Sequence, residues 1–364
     1  MHLRLLDGPD LVAGIADALE GGPPVAPVPD DRSLPALAAD SPVAEPDAAA
    51  VVTTSGSTGE PKAVVLSREA IRFAAGAAHD RLGGPGDWVC ALPPRHVAGL
   101  MTIARAVVAG RQLRFAASDL ADLPHAGERS YISLVAAQMD RALGEPPAVR
   151  LLRDYAAVLV GGSSVPAGLR ARARDAGVTV VTTYGMSETC GGCVYDGRPL
   201  DGVRVELADD GRICLAGPMA FSGYRLRPDL TRGVLSGDVV HTNDRGRWTD
   251  GRLQVLGRLD DVVISGGENV DLGALQRAAD AAFGHGVLAL LAVPDERWGN
   301  RIVALTTGDV GLADVRARLT ERLGAAAAPR ELRRVPGLAY TSIGKVDREA
   351  MLRSWREMSD GESG

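Results

Sequence analysis

The spacing of apolar positions changes several times along the chain, and each change predicts an element. Residues 50–54 form a short run of small and β-branched side chains and predict a strand. Ser67 then offers a helix N-cap, and Ile71, Ala75, Ala78 and Leu82 fall on one face of the helix it would start. The order recurs as a buried-type strand at 156–160, a helix at 166–176 and a strand at 178–183. Such alternation predicts a largely parallel sheet with helices on its faces. Beyond Asp201 the texture shortens. Segments 203–207, 212–216 and 252–256 are separated by Asp-Gly pairs at 201–202, 210–211 and 250–251, which predict tight hairpins and antiparallel pairing. From about Gly257 a smaller α+β unit begins, with strands at 262–265, 287–293 and 302–306, a helix at 312–323 and a surface connection at 324–329. Seven prolines between Pro23 and Pro46 predict an extended surface segment over 21–47 rather than a helix or central strand. The expected fold class is α/β in two domains. Residues 1–257 carry mainly parallel sheets flanked by helices plus a small antiparallel β portion, and residues 258–364 form a small α+β domain.

Composition narrows the function. The 364 residues are 46% apolar and 24% charged, enough for two cores, and no apolar run is long enough to cross a bilayer. The opening Met1-His2-Leu3-Arg4, soon followed by Asp7 and Asp10, lacks the basic and apolar stretches of a secretory signal, so a cytoplasmic location is expected. A net charge of −6 supplies no basic field, and neither nucleic acid nor a membrane is an expected partner. Cys190-Gly191-Gly192-Cys193 has redox or zinc half-site spacing, but Cys90 and Cys214 stand apart and no histidine-rich partner lies near; unpaired thiols are expected. The chain has 38 arginines and two lysines, Lys62 and Lys345. Where arginine has replaced lysine almost everywhere, a surviving lysine marks a place that needs a compact ammonium.

Lys62 ends the segment Thr53-Thr54-Ser55-Gly56-Ser57-Thr58-Gly59-Glu60-Pro61-Lys62, directly after a predicted strand. Glycines let backbone N–H groups turn towards an anion, hydroxyls add donors, and the lysine adds charge, a combination suited to phosphate. It is not the Gly-x-x-x-x-Gly-Lys-Ser/Thr loop, because Lys62 follows a proline and no hydroxyl follows it.

This segment resembles the signature phosphate loop of the adenylate-forming superfamily, which includes acyl-CoA synthetases, peptide-synthetase adenylation domains and luciferases. Four further motifs, in the same order, carry the resemblance: Thr182-Thr183-Tyr184-Gly185-Met186-Ser187-Glu188-Thr189; His241-Thr242-Asn243-Asp244; Gly257-Arg258-Leu259-Asp260-Asp261 with Ser265-Gly266-Gly267-Glu268-Asn269; and Ser342-Ile343-Gly344-Lys345-Val346. The resemblance implies a carboxylic acid substrate, ATP with Mg²⁺, and coenzyme A as thiol co-substrate. It implies phosphate binding by Thr54, Ser55, Gly56, Ser57, Thr58, Gly59 and Lys62, and by Ser187 at the α-phosphate. Gly161, Gly162 and Ser163, with Tyr184, would wall the adenine pocket, and Thr183 and Gly185 would also bind the nucleotide. Glu188 would hold the metal, Asp244 the ribose hydroxyls, and Arg258 ribose or phosphate. Lys345, with Glu188 and His96, would be catalytic, Lys345 bridging the carboxylate and the α-phosphate. Asp260 would be the hinge on which a mobile C-terminal domain turns, near 258–260, to present Ser265, Gly266 and Gly267 to the thiol.

Barely fifty residues precede the phosphate loop, and this compactness resembles the o-succinylbenzoate–CoA ligases. Their acid has two carboxylates, so a cation should receive the one not activated. His96, in Leu92-Pro93-Pro94-Arg95-His96-Val97-Ala98-Gly99, would lie beside the acyl pocket. Departures from the family pattern are Asn243 for Gly, no Pro or Glu after Asn269, and Ala339-Tyr340-Thr341 before the last motif. Other readings are a ligase for another small aryl or alkyl acid, a stand-alone enzyme loading a carrier protein, and a nucleotide-binding protein without catalysis. A homodimer is left open.

Overall fold

The computed structural model describes residues 1–55, 60–340 and 346–361. The chain forms two compact units: Met1–Ala208, Ile213–Thr242 and Trp248–Gln254 make the first, and Asp209–Arg212, Asn243–Arg247 and Val255–Gly364 the second.

In the first unit, strands β1 (Arg4–Leu6), β2 (Val25–Pro27), β3 (Ala48–Ser55) and β4 (Pro61–Ser67) form one sheet in that order, and Gly223–Tyr224 adds at the β4 edge. A second sheet holds β5 (Asp87–Cys90), β6 (Leu113–Phe115), β7 (Ser130–Val135), β8 (Ala157–Gly161), β9 (Val180–Met186), β10 (Gly191–Tyr195) and β11 (Arg198–Pro199), in the order β11-β10-β9-β8-β7-β5-β6. It is parallel from β6 to β9, as the strand–helix alternation predicts, and antiparallel at β10 and β11. The helix Arg68–Leu82 starts at the expected Ser67, whose hydroxyl accepts from the Ala70 N–H at 3.0 Å. The helix Val97–Ala109 is buried from Gly99 to Ala106, which conceals amphipathic periodicity.

Three expectations fail for identifiable reasons. Residues 21–47 are not all surface: β2 lies between β1 and β3, with Val25 and Ala26 fully buried. The prolines sit where the ladder needs no donor, while the Val28 N–H reaches Leu6 O and Pro24 O accepts from Arg4. Asp201-Gly202 makes no hairpin, because β11 and the strand Arg204–Leu207 belong to different sheets. The tight turn is instead at Asp196-Gly197, joining β10 to β11 with φ of 48° and 76°. Asp250-Gly251 does form the predicted reversal, with φ of 50° and 68°. Finally, 324–329 is no surface connection: Ala327 and Ala328 are buried against the second unit's core.

The second unit is built on an antiparallel sheet of Glu268–Asp271, Val262–Ser265, Gly299–Thr306 and Leu288–Asp295, with Glu331–Arg334 parallel to Gly299–Thr306. Leu288 and Leu290 face the helices Leu272–Phe283 and Leu312–Leu323, while Ala289, Leu291 and Val293 face Met351 and Trp355 of the last helix. The period of two buries both faces of one strand.

His79 is buried in the first unit and accepts from Trp88 Nε1 at 3.1 Å. Burial, with the nearby Arg105 charge, pushes its pKa from 6.5 down to about 4. Between those values the folded state holds fewer protons than the unfolded chain. Stability is therefore complete above pH 6.5 and falls as pH drops towards 4, by roughly 3 kcal/mol. His79→Gln keeps an acceptor without the titration and is expected to flatten that acid limb in urea unfolding measured against pH. An unchanged limb would assign the proton uptake to another group.

Candidate active site

In the first unit the segment expected to bind phosphate runs from the end of β3 to the start of β4, which pair antiparallel. Thr54 stands opposite Lys62 and Ser55 opposite Pro61, so Lys62 is the second residue of a strand whose later residues are buried. Gly56, Ser57, Thr58 and Gly59 lie outside the described residues, as does Lys345.

The residues expected to wall an adenine pocket collect at the carboxyl ends of neighbouring parallel strands, where ligands of open α/β sheets bind. Gly161 ends β8 beside Thr183 of β9, so closely that any Cβ there would collide with Thr183 Oγ1. Gly162, at φ 79°, turns the chain away, followed by the half-buried Ser163. All seven residues of β9 are half-buried, including Thr183, Tyr184 and Gly185, whereas residues 157–160 of β8 are buried. An interior strand this open is incompletely covered along its length.

The chain reverses between β9 and β10 through the 3₁₀ turn Ser187–Thr189 and a left-handed Cys190, at φ 51°. Thr189, fully buried, holds the reversal: its hydroxyl accepts from the Met186 N–H at 3.0 Å and donates to Gly191 O at 2.8 Å. That leaves Ser187 and Glu188 half-buried at the strand end. Glu188 Oε1 accepts from Tyr224 Oη at 2.6 Å, and Lys62 Nζ lies 5.3 Å from the centre of the Tyr224 ring. Two residues from distant motifs thus meet on a tyrosine that pattern reading does not single out.

His96 caps the helix Val97–Ala109 by position and makes no side-chain cap bond. Its buried Nε2 and the buried Nε of Arg95 lack hydrogen-bond partners, and burial, then Arg95, lowers the His96 pKa. Among the described residues no hydrogen bond joins His96 to Glu188 or Lys62. Arg105 lies on the same helix, 4% exposed, with its guanidinium 5.1 Å from the Trp88 ring centre and its Nε unpartnered. Met101, one turn earlier, touches the Gly191 position, so this helix face points at β10, just beyond Glu188. A signal was available: Arg105 is the sole charged residue in the 13-residue helix Val97–Ala109.

Cys190 and Cys193 are free, buried thiols. Burial raises both pKa values, Cys193 to about 12, which removes the thiolate that redox exchange needs.

In the second unit Arg258 forms a bidentate pair with Asp260, Nε to Oδ1 and Nη2 to Oδ2 both at 2.7 Å, and lies 3.6 Å from Asp244 Oδ1. Asn243, where the family pattern has glycine, donates to Asp260 at 3.3 Å and accepts from Arg212 at 2.9 Å. Burial alone would raise the Asp260 pKa, but the Arg258 and Asn243 hydrogen bonds outweigh it and hold the carboxyl below its usual range. Gly266 and Gly267, at φ 62° and 84°, form the turn between Ser265 and Glu268. Ser265 is buried with an unpartnered hydroxyl, so its side chain faces inwards while the glycine turn carries the backbone outwards.

Known proteins resemble this chain over most of its length. A probable 2-succinylbenzoate–CoA ligase of Mycobacterium tuberculosis is 43% identical over 335 residues, 86% of each chain. Among solved structures, o-succinylbenzoate CoA synthetase (MenE) from Bacillus subtilis, in complex with the acyl-adenylate intermediate OSB-AMP, is similar at TM-score 0.71 and 25% identity, over 83% of this chain and 68% of that one. The amide bond synthetase McbA from Marinactinospora thermotolerans is similar at TM-score 0.72 and 25% identity, over 95% and 78%. The AMP-binding enzyme family matches residues 11–225, a span that holds Lys62, β9, Glu188 and Tyr224, and this chain belongs to that family.

Proposed function

We propose that the protein is an o-succinylbenzoate–CoA ligase acting in the cytoplasm, forming an acyl-adenylate from ATP and the acid and then the CoA thioester. The observation that carries the adenylation is the convergence of Lys62 and Glu188 on Tyr224, at the hairpin whose glycines and hydroxyls suit phosphate. A carboxylate is a poor acyl donor, so it attacks the α-phosphorus of ATP and pyrophosphate leaves. Lys62 offers charge to the phosphates, Ser187 a hydroxyl to the α-phosphate, and Asp244 an acceptor for ribose. The donor set fits Mg²⁺: with Oε1 engaged by Tyr224, Glu188 would hold the cation through Oε2. Bound Mg²⁺ neutralises phosphate charge. Lys345 spans the attacking oxygen and the α-phosphate, and a turn of the C-terminal domain about Asp260 brings the Gly266-Gly267 loop to the thiol.

For the second carboxylate we assign Arg105, a buried guanidinium whose neighbours His79, Trp88, Tyr195 and Cys190 are uncharged and which forms no salt bridge among the described residues. A buried charge of this kind gains most from an anionic ligand. Arg105→Met is expected to lower kcat/KM for succinylbenzoate about 30–300-fold, the loss of a charge-assisted pair, while benzoate analogues without the second carboxylate lose little. Equal losses for both acids would remove this assignment. The whole reading is tested by incubating protein, ATP and CoA with succinylbenzoate and a panel of aryl acids, with mass detection of products. AMP with succinylbenzoyl-CoA is expected. A product formed only with an amine or a carrier protein would overturn the thiol assignment.

A further inference from the structure

The aromatic contact between Lys62 and Glu188 goes beyond either motif. We propose that Tyr224 is a positioning residue that couples the phosphate-binding ammonium to the metal-binding carboxylate, its ring taking Lys62 and its hydroxyl taking Glu188. This rests on the roles given above to those two residues. Tyr224 is 6% exposed and fixed from several sides. Its strand pairs antiparallel with β4, Tyr224 opposite Val64 and Gly223 opposite Val65, two and three residues after Lys62. Its N–H donates to Thr231 Oγ1 at 2.9 Å, and Thr231 donates onwards to Arg227 O. Phe221 packs edge-on against its ring, centroids 5.0 Å apart, and the Phe221 N–H donates to the backbone oxygen of Glu188 at 2.9 Å. The Glu188 turn is therefore joined to the Tyr224 strand twice, through backbone and through side chain.

Both contacts are of kinds that orient rather than merely fill space. A phenol donating to a carboxylate restricts which oxygen faces the cation, and the ring face attracts an ammonium without neutralising it. Lys62 keeps its full charge for phosphate, whereas pairing with a carboxylate would spend it. Because Tyr224 holds one side of Glu188, the carboxylate presents Oε2 in a set direction before any nucleotide arrives. Such ordering lowers the entropy lost on binding.

The hydroxyl and the ring can be separated. Tyr224→Phe keeps the ring under Lys62 and removes the bond to Glu188; Tyr224→Leu removes both. ATP binding is measured calorimetrically without acid or CoA, across a Mg²⁺ titration, together with thermal melting of each variant. Tyr224→Phe is expected to raise the Mg²⁺ concentration for half-maximal ATP binding about tenfold, with ATP affinity restored at saturating Mg²⁺. Tyr224→Leu is expected to show that shift and, in addition, about two- to fivefold weaker ATP binding that Mg²⁺ does not restore. An unchanged Mg²⁺ dependence in Tyr224→Phe would overturn the proposal. So would equal losses in both variants at every Mg²⁺ concentration with a lowered melting temperature, which is what packing alone would give. Glu188→Gln run alongside separates the two levels. If it leaves the Mg²⁺ dependence intact, the metal role of Glu188 fails and the coupling with it; if it shifts that dependence while Tyr224→Phe does not, only the coupling fails.

Discussion

Lys345→Ala slows acyl-adenylate formation about 10²–10³-fold, the expected cost of removing one preorganised charge from the reacting centre, while ATP affinity stays nearly unchanged. The split follows from where charge moves. On the proposed reading Mg²⁺ and the segment ending at Lys62 would already meet the triphosphate, so a further ammonium would add little to ground-state binding. As the carboxylate oxygen bonds to phosphorus, charge passes between two anions, and a cation spanning them gains interaction at that moment only. Lys345 is one of only two lysines beside 38 arginines, in keeping with a site that needs a compact ammonium. Pyrophosphate exchange with the acid, set against calorimetric ATP binding, checks the expectation. Thioester formation from preformed adenylate should be spared. If ATP binding fell as far as exchange, the lysine would serve nucleotide binding rather than the reaction.

Gly185→Ala should be the most damaging single methyl in the first unit, lowering stability by about 3 kcal/mol through overpacking. A Cβ at Gly185 would lie far inside contact distance of the Gly191 carbonyl oxygen, and 2.8 Å from both the Gly191 carbonyl carbon and Gly192 Cα. These are backbone atoms of β10, paired directly with β9, so no side-chain rotation relieves the clash. The strands must part, and the Ser187–Thr189 turn they carry moves with them. Thermal melting and nucleotide binding should therefore fall together. A melting temperature within a degree or two of the parent would mean that the β9–β10 pair yields easily, and that Glu188 is less rigidly held than its contacts imply.

Much of this was legible in one dimension. The alternation from residue 48 onwards reads as a parallel sheet because side chains buried on both faces leave short apolar runs, and β7 to β9 follow it. The helix Val97–Ala109 carries no such signal, because burial on nearly every side erases the period of 3.6. Proline content misled at β2, because a parallel ladder preceded by Pro24 and ending on Pro27 still receives the N–H groups it needs from neighbouring residues. Asp-Gly pairs located a reversal at 250–251, but at 201–202 the chain passes between two sheets instead of turning back. A dipeptide states local backbone preference, not which strands lie beside it.

The site divides in the same way. The sequence alone determined the chemistry on offer, because residue type sets what a group can do: hydroxyls and glycines before Lys62, a carboxylate at Glu188, an acid–base pair at Arg258 and Asp260. Only the tertiary structure decided which of these act together. Lys62 and Glu188 are separated by more than a hundred residues, and what unites them is Tyr224, brought in by a two-residue strand at a sheet edge. Pattern reading passes over such a strand, since two residues carry no periodicity. Likewise Arg105 becomes a candidate only once folding buries it among uncharged side chains. Burial and proximity are properties of the packed chain, and they turn an ordinary charge into one that requires a partner.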